Sequence, residues 1–119
     1  MALTHQRLLV YQKALDVLVG VLHIIKAAKP GWSDLTNQLK RAATSVVLNI
    51  AEGSAEYSPA EKARLYRIAL RSAAECHAAC DVMVKVQIIP AEMIANVQSP
   101  LEEIVSMLIA MCKKVEARI

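Results

Sequence analysis

Cys76, His77 and Cys80 form the tightest grouping of metal-capable side chains in this sequence. On a helix the two cysteines stand one turn apart and could open a thiolate site. Tetrahedral zinc takes four ligands, however, and no second pair lies nearby in the chain. The alanines around them (Ala73, Ala74, Ala78, Ala79) favour small core residues instead. His5 and His23 are isolated and support no nucleophilic triad. Glu52 and Glu75 could pose as an acid–base pair, yet no pocket glycines or cofactor motif accompany them. The expectation is a protein that is not an enzyme, with no catalytic residue, cofactor or metal.

Phosphate contact is the chemistry better supplied. Arg64, Arg67 and Arg71 share one helical face, and Lys113, Lys114 and Arg118 crowd the C-terminus. Cations are expected at a helix C-terminus from the dipole alone, and charge runs are often solvated faces. The net charge of +3 permits nucleic-acid contact without demanding it. Stacking platforms are scarce: Trp32, Tyr11, Tyr57 and Tyr66 are all the aromatic rings there are, which argues against a single-strand reader. Any nucleic acid would therefore be held by phosphate and shape, with Arg64, Arg67, Arg71, Lys113 and Lys114 as the candidate contacts.

Helices must position these residues. Hydrophobic residues make up 55% of the 119, with only three Gly, four Pro and no Phe. That composition favours one all-α domain with close helix contacts, spanning the whole chain. The longest apolar stretches, Val17–Ile25 and Ile104–Cys112, fall well short of the ~18 residues a membrane span needs. Met1–Arg7 is polar and no signal-like core follows, so the expected location is the cytoplasm and no membrane partner is expected. An odd three cysteines in such a chain argue against a disulfide framework.

The first helix is read from Gln6 to Ala28, ending before Lys29-Pro30-Gly31. It carries two apolar stripes. Leu8, Tyr11, Leu15, Leu18, Leu22 and Ile25 make a heptad-like seam, and Val10, Ala14, Val17, Val21 and Ile24 lie beside it. One stripe suffices for a bundle, so the second, with Val10, Val17, Val21 and Ile24, is the expected oligomer interface. Ser33 or Asp34 can cap the second helix. Ser58-Pro59-Ala60-Glu61 is a capping box for a third helix that runs to about Val86. Ile88-Ile89-Pro90 breaks it from a fourth. Ser99-Pro100-Leu101-Glu102 repeats the capping pattern, leaving the fourth helix either kinked near Pro100 or divided there. Short connections imply an antiparallel up-down-up-down four-helix bundle.

The second helix holds the most specific stretch. Leu35, Leu39, Ala42, Ala43, Val46 and Ile50 form its apolar face, and Gln38, Arg41, Ser45, Asn49 and Glu52 fall together in an arc beside it. Ser and Asn are mediocre helix formers that a plain solvent face would not favour. The arc is read as a structural network with the third helix, Arg41 pairing with Glu75 and Asn49 or Glu52 with a nearby Arg. The competing reading is a nucleic-acid or catalytic surface on Arg41, Asn49 and the third-helix arginines. Gly53 stands where a left-handed residue would end the helix.

The run RAATSVVLNIAEG at Arg41–Gly53, with Gln38-Leu39 just before it, closely resembles the signature of the small proteins encoded in 23S ribosomal RNA intervening sequences. That family includes the accessory variability determinants of diversity-generating retroelements. Tyr11-Gln12-Lys13-Ala14 resembles the family's aromatic-Gln-x-Ala opening. Ser58-Pro59, then Ile68-Ala69 with Ser72 and Glu75, resemble its third helix, and Ile89-Pro90 its approach to the fourth. Gly31-Trp32-Ser33 departs where the family usually carries a Glu, and Arg71 where a Gly is common. The resemblance implies a four-helix bundle assembled as a homopentamer, without established enzymatic activity. It further implies a link to structured RNA or retroelement machinery, so RNA or a nucleic-acid-processing protein is the expected partner. A structural or protein-interaction scaffold that binds no nucleic acid is the alternative, and salt-dependent RNA binding separates the two.

Overall fold

In the computed structural model, which describes residues 3–119, the chain forms a short 3-10 turn (Thr4–Arg7) and four α-helices. These are α1 (Leu9–Ala27), α2 (Ser33–Ala55), α3 (Pro59–Lys85) and α4 (Ala91–Glu116). Met1 and Ala2, the start of the polar segment read above, lie outside the described residues. Each helix packs against the next and α4 closes back on α1, with no pairing of α1 with α3 or α2 with α4 among the described residues. The result is an antiparallel up-down-up-down bundle, 46 Å along its longest axis. Leu39, Ile50, Met83, Leu101, Ile104 and Leu108 are fully buried at its centre. Among the described residues no helix is long and apolar enough to cross a membrane.

The two stripes of α1 exchange the roles expected of them. Val10, Ala14, Val17, Val21 and Ile24 are each at most 3% exposed inside the single chain. Val10, Val17, Val21 and Ile24 are therefore bundle core and not a subunit interface. The Leu8–Ile25 seam lies on the flank toward α2, half-buried for the most part, and Leu22 and the neighbouring Val19 are exposed. Size explains the exchange. A Cβ added at Gly20 would come 2.8 Å from Val97 Cγ2 on α4, so α1 approaches its neighbours closely, where short side chains fit and leucines do not.

Helix ends follow local chemistry. Leu8 is extended, so α1 begins at Leu9 and not at Gln6; Gln6 instead accepts from the Leu3 N–H through its side chain at 2.7 Å. Gly31 adopts φ +95° after Pro30, a conformation that strains residues with a Cβ. Trp32 occupies the cap position of α2, and neither Ser33 nor Asp34 caps it as expected. Asp34 still sits in the first turn, where a carboxylate complements the helix dipole. α2 then continues through Gly53 to Ala55, so Gly53 is helical rather than a left-handed stop. Its missing side chain serves packing: a Cβ there would sit 2.6 Å from the Tyr66 ring.

The capping box of α3 is half formed. Ser58 Oγ accepts from the Glu61 N–H at 3.3 Å, but Glu61 turns to Arg64. Glu56 takes the vacant role, its Oε1 accepting from the N–H groups of Tyr57 at 3.1 Å and Ser58 at 3.3 Å. α3 ends in a Schellman motif: Gln87 is left-handed at φ 62°, the Ile88 N–H reaches Met83 O, and the Gln87 N–H reaches Val84 O. Ile88 and Met83 are both buried, the apolar contact this motif usually carries. α4 runs unbroken through Pro100. Pro100 lacks the N–H that would bond Asn96 O, and Asn96 is exposed, where water can take its place. At the same end of the bundle the Lys29 N–H donates to Ile88 O at 3.1 Å, joining the first and third connections.

Candidate functional site

The arc on α2 is split between two surroundings. Its inner part forms a neutral network with α3. Ser45 Oγ and Ser72 Oγ lie 2.8 Å apart, and Asn49 Nδ2 donates to Ser45 O at 2.9 Å and to Ser45 Oγ at 3.0 Å. Gln38 Nε2 donates to Glu75 Oε2 at 3.2 Å. Glu75 is thus held by Gln38 and not by Arg41, the partner expected of it. The reason is angular: three residues along a helix leave a rotation of about 60°, enough to turn Arg41 away from α3. Asn49 likewise bonds within its own helix rather than to an arginine. Among the described residues, Arg41 and Glu52 make no ion pair or side-chain hydrogen bond. They line an open groove of about 520 Å³ along the outer face of α2, with exposed Leu48 between them.

The cationic residues divide as well. Arg64 grips Glu61 from both sides, Nε at 3.0 Å from Oε2 and Nη2 at 2.5 Å from Oε1. This hydrogen bond holds the Glu61 carboxyl below its ordinary pKa and raises that of Arg64. Arg67 pairs with Glu116 across the α3–α4 seam. Arg71 and Lys113 are exposed and make no ion pair among the described residues. Because Arg67 meets Glu116, Arg71 one turn further along α3 (about 40° round) and Lys113 one turn back along α4 (about 60° round) stand on the solvent flank of that pair and not in the contact itself. Lys114 lies on a different side of α4, roughly 100° from Lys113. Four of the five expected residues therefore share one surface, and two of those four are already neutralised.

A second polar cluster ties α3 to α4 nearer the other end. His77 Nε2 lies 2.9 Å from Glu102 Oε2, and His77 Nδ1 is 4.0 Å from Asp81 Oδ2. Gln98 Nε2 donates to Asp81 Oδ1 at 2.7 Å and to His77 O at 3.1 Å. Sequence reasoning grouped His77 with the cysteines and passed over the others. A signal was available: His77/Asp81 and Gln98/Glu102 are both i,i+4 pairs, spaced to meet across an antiparallel seam. Cys76 and Cys80 turn away into the core, where burial pushes their thiols up to about 12 and about 11. Glu52 and Glu75 do not converge: the α2 residue that reaches Glu75 is Gln38, and Glu52 is ~21 Å further along that helix.

The end of the bundle near the α2–α3 loop has its own fixture. Lys62 Nζ donates to Gly53 O at 2.5 Å and to Ser54 O at 3.2 Å, closing the C-terminus of α2. The ammonium lies 5.6 Å from the centre of the Tyr66 ring. Burial, and then the nearby Arg118 guanidinium, lower its pKa. Arg118 is thereby placed at the same end as Arg64 and Tyr57.

A crystal structure of a protein of unknown function from the S23 ribosomal protein family of Bacteroides thetaiotaomicron is similar in fold. It superposes with a TM-score of 0.81 at 24% identity, covering 88% of this chain and 99% of the other. No functionally curated protein matches. The family model described as 23S rRNA-intervening sequence protein matches residues 6–110, which includes all of the α2 motif, while Lys113 and Glu116 lie beyond it. The chain belongs to the 23S rRNA-intervening sequence protein family.

Proposed function

We propose that this is a non-enzymatic cytoplasmic protein that self-associates and holds structured RNA by its phosphates along the α3–α4 seam. The observation that carries the RNA reading is the placement of Arg71 and Lys113 beside Arg67 on one exposed surface. There Arg71 and Lys113 are exposed without an ion-pair partner among the described residues, beside the paired Arg64–Glu61 and Arg67–Glu116. The family's name, tied to intervening sequences of 23S rRNA, makes RNA the first ligand to try. Arg71 and Lys113 are the principal contacts, because Arg64 and Arg67 would first have to leave their carboxylates. Affinity for a hairpin RNA should fall steeply between about 50 and 200 mM salt, and Arg71→Ala or Lys113→Ala should each flatten the salt slope by about one unit. Binding that ignores salt, or slopes unchanged in both variants, overturns the assignment.

The second reading, an assembly scaffold without nucleic acid, draws on the opposite side of the bundle. Val19 and Leu22 on α1 line a groove against α2 that shares Asn37 and Lys40 with the groove where exposed Leu48 lies between Arg41 and Glu52, charges of opposite sign. This α1–α2 face takes over the interface role first given to the buried valines. Five copies is the number the family resemblance implies. Light scattering should give a mass of about five 13.0 kDa chains, reduced by Leu48→Lys or Val19→Lys. A monomer removes self-association, and an assembly without salt-dependent RNA binding leaves the scaffold alone.

A further inference from the structure

We propose that Tyr57 is a stacking platform for one unpaired base of the RNA, which makes the ligand a hairpin or duplex with unpaired nucleotides beside it. This rests on the RNA reading above and narrows it. The four aromatic side chains meet different fates. Tyr66 is buried, Tyr11 packs edge-on to His5 at 4.7 Å, and Trp32 is 40% exposed. Tyr57 is 98% exposed. A tyrosine ring ordinarily buries much of its surface, so a ring left wholly in water contributes nothing to this fold.

The backbone beneath it is nevertheless fixed. Glu56 Oε1 accepts from the N–H groups of both Tyr57 and Ser58, and the Glu56 N–H donates to Gly53 O at 3.3 Å. Ser58 then caps α3, with Pro59 locking its first residue. The ring is therefore displayed from an anchored segment, which lowers the ordering cost of stacking.

Its position is the second element. Tyr57 stands just before the Ser58 cap of α3, at the end of the bundle that also carries Arg64 and Arg118. From there the α3–α4 seam runs past Arg67 to Arg71, ~18 Å along the helix from Pro59. A backbone held at Arg71 and Lys113 can follow this seam toward the loop. One base released from its duplex then meets the ring, where stacking does not depend on base identity. With a single exposed tyrosine, one base is stacked and no long single strand is tracked. The scarcity of aromatics thus excludes an extended single-strand groove but not a lone platform.

The test compares a hairpin RNA bearing a single-stranded tail of about six nucleotides with its blunt counterpart. Tyr57→Ala should weaken the tailed RNA about tenfold, leave the blunt one unchanged, and be rescued by Tyr57→Phe. In a Trp32→Phe background, the fluorescence of Tyr57→Trp should be quenched by the tailed RNA and not by the blunt one. Unchanged affinity for the tailed RNA in Tyr57→Ala, while Arg71→Ala still flattens the salt slope, removes the platform and keeps the phosphate surface. Absence of salt-dependent binding to either RNA removes both. A changed assembly mass in Tyr57→Ala overturns the platform by placing the ring between subunits.

Discussion

The two seams of α3 solve one problem in different materials. Against α2 it uses short neutral groups, Ser72 on Ser45 with Asn49 behind, beside the close passage of Gly53 under Tyr66. Against α4 it uses longer polar ones, the ion pair of Arg67 with Glu116 and the hydrogen bond of His77 with Glu102, at the edges of the contact. Burial decides the material. Where the contact is buried, as at Ser72, small groups fit and each polar atom must find its partner inside. Where it lies at the exposed edge, as at Arg67 and Glu116, ionic heads stay in water and contribute little. Breaking the first seam should therefore be costly, and breaking the second cheap.

The largest expected effect is at Gly53. Gly53→Ala drives a Cβ into the Tyr66 ring and should destabilise the fold by about 1–3 kcal/mol, read from the urea midpoint. An unchanged midpoint would mean that the α2–α3 seam is looser than its geometry says. Alkali acts on the same interior. The Cys76 thiol is raised from 9.0 to about 12, so the folded state holds a proton that the unfolded state releases. Its contribution is complete below pH 9 and is lost as pH rises toward 12, at up to about 1.4 kcal/mol per pH unit. Cys76→Ala should flatten that alkaline decline, and an identical pH profile would contradict the burial.

Smaller effects follow along the two seams. Ser72→Ala should cost about 1 kcal/mol by removing the partner of the Ser45 hydroxyl, softened because Asn49 still bonds it. In a double-mutant cycle, Arg67→Ala with Glu116→Ala should couple by no more than about 0.5 kcal/mol, and less at high salt. A coupling above that of the serine pair would reverse the comparison.

What could be read in the residues beforehand divides along the same line. Helix count, topology and the α3 start were legible because Ser58, Pro59, Pro90 and the apolar periods are local signals. Which face of α1 points inward was not, since Val17 and Leu18 are both apolar. That choice depends on how closely α4 approaches Gly20, a tertiary fact. The α2 arc was legible as a network, yet Gln38 and not Arg41 reaches Glu75, because a 60° turn of the helix lies below the resolution of a pattern. The free or paired state of each arginine was hidden for the same reason: Arg67 meets Glu116 from 49 positions away.

The bond from the Lys29 amide to the Ile88 carbonyl has a consequence for how the bundle breathes. It fastens the α1–α2 and α3–α4 connections together at one end, with the buried Ile88 beneath the bond. Parting the helices at this end must break that bond, so the amides around Lys29 and Ile88 should be among the last there to exchange with solvent.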